Sequence, residues 1–188
     1  MRNNGFITTV RVSTRTGASR AAVYAALADL STHLVWGGEE TGDKKFRLLT
    51  MELPGGAAVT GTRFASTGLI PMGTFHDETV VTAATPPSRF DFHTESVLER
   101  KRRHAWRGTF DHRYMLESDR GETIIRYEVD LYATNYVPWW WRLPMRPMTR
   151  TMVGRTMTRC LRSLALIADA SQQTVPAATQ ARDAAAAR

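Results

Sequence analysis

The sequence predicts an α+β protein in which an antiparallel sheet is covered on one side by a long C-terminal helix. Two observations carry this. From Lys44 to Asn135 nearly every segment alternates apolar and polar residues and ends at a glycine or proline turn. Beyond it, Val153, Met157, Cys160, Leu164 and Ile167 recur at intervals of three and four, the spacing of one helix face.

Residues 6–15, FITTVRVSTR, mix β-branched residues with polar ones and read as the first strand. Thr16-Gly17-Ala18-Ser19 stops it, and Ser19 can cap the helix RAAVYAALADL, whose Ala22, Val23, Ala26, Leu27 and Leu30 form a stripe to bury. Asp29 or Ser31 can cap a second short helix ending near Trp36, before a loop that opens on Gly37-Gly38. Strand segments follow at FRLLTMEL, AAVTGTRFAST, TFHDETVVTAAT, RFDFHTESVLE, HAWRGTFDHRYMLES and ETIIRYEVDLYAT, the last two joined by the turn Asp119-Arg120-Gly121. With the first strand this makes about seven.

In the last strand Ile125, Tyr127, Val129 and Leu131 alternate with Arg126, Glu128 and Asp130, so one face is apolar and the other wet. In the strand before it Trp106, Gly108, Phe110, His112 and Tyr114 form the inner set. Pro147 suits the first position of the closing helix, from whose far side Arg155, Arg159 and Arg162 project. Residues 1–170 read as a single domain, and 171–188, with little to bury, as a disordered tail.

Composition narrows the function. At 188 residues, 43% hydrophobic and 23% charged, the chain is an ordinary globular length with room for a real core. Its one cysteine, Cys160, excludes an intramolecular disulfide, and no zinc spacing occurs, so neither metal nor cofactor is expected. The first residues lack the apolar run of a signal peptide and no segment has the length to cross a bilayer, which points to the cytoplasm. Its 22 arginines against 3 lysines suggest a bacterial genome rich in GC.

The net charge of +7 is concentrated from Arg142 onward, where eight arginines, Arg142 included, face only Asp169 and Asp183. A basic loop, Arg100 to Arg103, is a second patch. No reading element for bases accompanies either, so nucleic acid is not the expected partner.

The order of elements resembles the helix-grip fold of the SRPBCC, or START-like, superfamily. Val12, the helix SRAAVYAALADL with Trp36 after it, the runs ETVVTAATPPSRFDFHTES and GETIIRYEVDL, and the proline- and arginine-rich start of the last helix carry the likeness. It is nearest to the bacterial polyketide cyclase/dehydrase and lipid-transport branch. What the resemblance implies is a curved sheet gripping the last helix around a cavity for a hydrophobic small molecule. The superfamily has no shared catalytic set, so it assigns no reaction here.

Inner-face parity selects the expected lining of such a cavity. Phe90, Phe92, Thr94 and Ser96 come from one strand, Trp106, Phe110, His112 and Tyr114 from the next. Tyr127 and Val129 follow from the last strand, with Val153 and Met157 from the helix. His112 is the acid–base candidate, with Tyr127 or Arg150 as its helpers. Arg150, a third of a turn from the apolar stripe, is placed to reach a carboxylate or phosphate at the cavity mouth. His76 and Glu78 share the wet face and read as an exposed pair, while His33 and His93 read as structural and His104 as solvated.

The expected function is binding or carriage of a lipid, isoprenoid or polyketide-like molecule. The alternatives are a polyketide cyclase or dehydratase using His112, and a partner- or RNA-binding module using the basic loop. In YVPWWWRLPMRPM, residues 136–148, three adjacent indoles cannot all point one way, so at least one sits apart from the others. Trp140 is expected to close the pocket, while Trp139, Trp141, Arg142 and Arg146 offer a contact for an anionic membrane.

Overall fold

The structure is a computed structural model that describes residues 5–37, 46–100, 103–134 and 139–186, with the side chains of 103, 104, 139–142 and 174–186 outside the description. Strand β1 (Gly5–Thr16) leads to helix α1 (Arg20–Ala28), a 3-10 turn (Leu30–Thr32) and helix α2 (His33–Trp36). Six strands follow: β2 (Arg47–Glu52), β3 (Arg63–Ile70), β4 (Gly73–Thr85), β5 (Arg89–Arg100), β6 (Arg103–Asp119) and β7 (Glu122–Ala133). Helix α3 (Trp139–Ala186) closes the chain.

All seven strands form one antiparallel sheet in the order β1-β7-β6-β5-β4-β3-β2. The meander folds back strand by strand, and β1 returns to the edge beside β7. Irregularities in register fall between Phe6 and Thr8, Leu48 and Thr50, Val81 and Ala83, and Leu98 and Arg100. Each extra residue bends its strand and increases the local twist, which curves the sheet. The β6–β7 hairpin turns on Arg120 (φ 52°) and Gly121 (φ 88°), the pair of positive φ angles that a two-residue type I′ turn requires.

The helices after β1 are held as their caps predict. Ser19 Oγ accepts the Ala22 amide at 3.2 Å, and Asp29 Oδ1 accepts the Ser31 amide at 3.0 Å. Helix α1 buries Val23, Ala26 and Leu27. His33 is buried and its Nε2 lies 2.9 Å from the Leu27 carbonyl, confirming a structural role.

Helix α3 runs alongside β1 and is fastened to it at two points. Arg146 Nε donates to the Ile7 carbonyl at 3.0 Å, and Thr16 Oγ1 donates to Asp169 Oδ1 at 2.8 Å. From 146 to 169 a helix rises about 35 Å, and β1 covers about 30 Å from Ile7 to Thr16, so the two elements match in length and run the same way. Between the fastenings a Cβ placed on Gly154 would lie 3.7 Å from Val10. Cys160, Leu161, Leu164 and Ala168 complete the core under α3, against Val10, Ile125, Tyr127 and Val129 of the sheet.

Two boundaries differ from expectation. Helix α3 starts at Trp139, not Pro147, and so contains Pro144 and Pro147. Pro144 and Pro147 are the sixth and ninth residues of the helix, past the four amides that lack an intrahelical acceptor, so each removes one bond from the helix ladder. The expected strand AAVTGTRFAST begins only at Arg63. Residues 57–62 instead form a turn in which the Ala58 amide donates to the Ala28 carbonyl at 2.7 Å, anchoring it to the end of α1. Helix α3 also runs without a break through residue 170.

The outer face of the sheet is a charged lattice. Arg113 bridges Glu128 and Asp130, Glu128 also meets Arg11, and Asp130 accepts from Thr9 Oγ1 at 2.5 Å. Exposed Arg15 holds Asp119 and Glu122, whose carboxylates raise its pKa further.

Candidate functional site

Pairing across the sheet arranges the inward side chains in rows that run perpendicular to the strands. The first row is Gly68, Phe75, Leu98 and Trp106, on β3 to β6. The second is Ser66, Asp77, Ser96, Gly108 and Ala133, on β3 to β7. The third is Phe64, Thr79, Thr94, Phe110 and Leu131. Val81, Phe92, His112, Val129 and Val10 form the fourth, and Ala84, Phe90, Tyr114, Tyr127 and Val12 the fifth. Every expected lining residue on the sheet does face inward.

The rows differ in what they can do. In the fourth and fifth, Phe90, Tyr114, Tyr127 and Val129 are at most 2% exposed, so these four of the expected lining residues build the core. In the second and third, Phe64, Ser66, Asp77 and Phe110 stay partly exposed although they face inward, as do Trp106 in the first row and His112 in the fourth. Val153 and Met157 of α3 are likewise partly buried and pack on the same core. Thr94 and Ser96 are buried, and Thr94 shares a 3.0 Å hydrogen bond with Thr79.

Aromatic rings lie along this face. Phe92 stacks on His112 with centroids 4.3 Å apart, and Phe110 sits 6.0 Å from the same imidazole. Trp106 folds flat over Gly108, where a Cβ would come within 2.2 Å of the indole; no other residue type admits the ring there. Phe75 covers Gly68 in the same manner and stacks on Phe46 at 5.6 Å.

His112 Nδ1 lies 2.7 Å from the Tyr127 hydroxyl, and Tyr127 packs on Tyr114 with centroids 4.8 Å apart. Burial lowers the His112 pKa to about 3, with His93 and His33 adding to the effect. Burial likewise raises both tyrosines well above their usual range. The pair is therefore neutral at physiological pH, with one hydrogen bond between imidazole and phenol. It suits orienting a polar group of a ligand. A general base working near pH 7 needs a much more basic nitrogen.

The catalytic candidates are only partly brought together. Arg150 does not join His112 and Tyr127. It is exposed in a groove of about 580 Å³ between α3 and β1, with Val12, Gly154, Arg155 and Arg159. A second groove, of about 560 Å³, lies between α1 and α3. The Trp140 lining assignment falls on a side chain outside the described residues, as do Trp139, Trp141, Arg142 and His104.

Other histidines find partners that spacing alone did not show. His93 Nδ1 meets Asp111 Oδ1 at 2.6 Å on the outer face, and exposed His76 lies 3.9 Å from Glu99 and 3.5 Å from Thr67. The neighbour of His76, Asp77, is the inward acid that sequence reasoning passed over. Burial raises its carboxyl to about 6, against the opposing influence of Ser96 and His76, and its Oδ1 is buried without a partner. Period-two parity already turned Asp77 inward; its burial depends on the strands at either side.

Among the described residues no cluster of His, Cys, Asp and Glu is suited to a metal ion, and no helix is long and apolar enough to cross a membrane. No protein-family model matches the chain, and no curated protein matches it in sequence. Solved structures match in shape. A protein from Arthrobacter aurescens aligns with a TM-score of 0.61 at 13% identity over 86% of each chain. The Mll3558 protein of Rhizobium loti gives 0.57 at 16% identity, over 85% of this chain and 96% of its own. DynU16, from the dynemicin biosynthetic locus, gives 0.50 at 16% identity, with 83% of this chain spanning 46% of that one. Identities this low show the fold alone, a curved antiparallel sheet with a long C-terminal helix in the helix-grip arrangement.

Proposed function

We propose that the chain binds or carries a hydrophobic small molecule, such as a lipid, isoprenoid or polyketide-like compound, against the concave face of the sheet. One observation carries this: Phe64, Trp106, Phe110 and His112 point inward yet keep solvent-accessible surface, next to a fully packed core. Inward aromatic surface that the fold leaves uncovered is what an apolar ligand site needs, and Thr79, Thr94 and the His112–Tyr127 pair supply its few polar groups. The fold neighbours support the same reading, since the fold builds a concavity between sheet and helix.

Native mass spectrometry of the protein purified from its own host tests it. A retained apolar ligand is the expected result. An empty protein that also fails to enhance the fluorescence of a neutral apolar dye refutes the reading. A polyketide cyclase or dehydratase acting through His112 is the second reading, favoured by the 2.7 Å contact with Tyr127. The depressed pKa of His112 weighs for orientation over proton transfer. Turnover lost in His112→Gln with ligand affinity retained would reverse that preference.

Delivery at an anionic membrane through Trp139, Trp141, Arg142 and Arg146 belongs to the same proposal. Arg146 already gives its Nε to Ile7. Co-sedimentation with phosphatidylserine vesicles at low salt checks the contact.

A further inference from the structure

We infer that Asp77 is the polar anchor of the concave face, its buried Oδ1 accepting a hydrogen bond from a hydroxyl group of an otherwise apolar ligand. This rests on the binding reading above and names the chemistry its ligand must carry.

The placement makes the case. Asp77 is flanked by Ser66 on β3 and Ser96 on β5, and the row continues through Gly108 and Ala133. From β3 to β7 no residue in that row is larger than the aspartate itself, and on β2 the row ends at Met51, which packs on the core. The rows on either side carry Phe75, Leu98 and Trp106, and Phe64, Phe110 and Leu131. A trough of small side chains therefore crosses β3 to β7, spanning about 19 Å at the usual strand spacing, with Phe75 and Leu98 on one side of Asp77 and the hydrogen-bonded Thr79–Thr94 pair on the other. Trp106 fills it over Gly108, which leaves the stretch Ser66–Asp77–Ser96 free of a covering indole.

The fold itself does not ask for an acid there. Glu128 and Asp130 face outward to Arg113, and Asp91 faces outward with its Oδ2 on Arg89, although its Oδ1 too is buried without a partner. Asp77 faces inward, its flanking rows hold no cation, and its Oδ1 is left without a donor. A buried acceptor without a donor costs folding free energy that an apolar residue would not, so its presence fits a donor that arrives with a ligand. The carboxyl is raised towards neutrality, so both ionisation states are accessible. A hydroxyl serves either one, donating to the carboxylate or accepting from the acid. Ser66 and Ser96 can complete its second hydrogen bond.

The test uses the full chain and displacement of the neutral dye N-phenyl-1-naphthylamine by 1-decanol, its methyl ether and decylamine. The wild type should bind the alcohol about tenfold more tightly than the ether, the value of one hydrogen bond to a charged acceptor. Asp77→Leu should bring that ratio near one while leaving the ether's affinity in place. Asp77→Asn, which keeps size and one acceptor oxygen, should retain part of the preference and serves alone if the leucine variant does not fold. Equal displacement by alcohol and ether in the wild type overturns the anchor and leaves the binding site standing. Tighter binding of decylamine than of decanol overturns the hydroxyl assignment. No displacement by any probe defeats the binding reading, and the anchor falls with it.

Discussion

The buried His112 makes a prediction about acid stability that can be worked from the structure. Its pKa is depressed from 6.5 to about 3, mainly by burial, so the folded state keeps it neutral while the unfolded chain takes up a proton below pH 6.5. Its stabilisation is thus complete above pH 6.5 and is lost as pH falls towards 3. At pH 5.0 the loss is about 2 kcal/mol, from 1.5 units at about 1.4 kcal/mol each. His33, lowered to about 4 by its own burial against the opposing Leu27 carbonyl and Asp29, contributes a similar loss at that pH. Asp77 acts the other way. Its raised pKa of about 6 means that the folded state gains a proton before the unfolded one, returning about 1 kcal/mol by pH 5.0. The wild type should therefore lose about 3 kcal/mol of stability between pH 7.5 and 5.0 from these groups, and His112→Phe only about 1. Since an edge of the imidazole stays accessible, the measured difference should fall somewhat below these figures. Urea unfolding followed by tryptophan fluorescence at both pH values gives the comparison. The phenylalanine variant also strands the Tyr127 hydroxyl, which lowers its stability at both pH values, so the informative quantity is the change between them. An identical pH dependence in wild type and variant would refute a buried neutral imidazole.

Three further substitutions probe other parts of the structure. Gly108→Val must expel Trp106 from the inner face, since even a Cβ would sit 2.2 Å from the indole; it should shift tryptophan emission and cost about 2 kcal/mol, and an unchanged spectrum would contradict the packing. Arg113→Ala leaves Glu128 and Asp130 without their shared cation, and because the arginine is about a third exposed the cost should be about 1 kcal/mol and shrink in high salt. Ser19→Ala removes the cap of α1 and should cost about 1 kcal/mol in urea unfolding, whereas Ser19→Asp should be nearly neutral.

Much of the fold was legible because its signals are local. Strand parity placed Phe90, Phe92, Thr94, Ser96, Trp106, Phe110, His112, Tyr114, Tyr127 and Val129 on the inner face, and all of them are there. The caps Ser19 and Asp29 and the turn at Arg120-Gly121 were read from residue type and recur as hydrogen bonds and positive φ angles. The start of α3 was misplaced because Pro147 was taken for a first helical residue, whereas the helix begins eight residues earlier and runs through both prolines. The turn at 57–62 was misread as strand because its alternation is genuine, while its conformation answers to Ala28 on another element.

The candidate site was legible in outline and not in its chemistry. Parity says that Asp77 and His112 face inward, but only the strands beside them decide what they meet. Asp77 falls between two serines with no cation, and His112 finds Phe92 and Tyr127. Arg150 shows the same limit from the other side: helical spacing put it near the apolar stripe, and the packing of α3 on β1 turned it to a groove away from His112.

What the chain determined by itself is the order of its elements and the direction of each side chain, because helical and strand periods are set by backbone geometry within a few residues. Tertiary structure decided register, burial and partnership, down to the hydrogen bond that joins Thr16 to Asp169 across 153 positions. Those depend on which distant residue arrives opposite, and a pKa or a binding surface is made by that arrival.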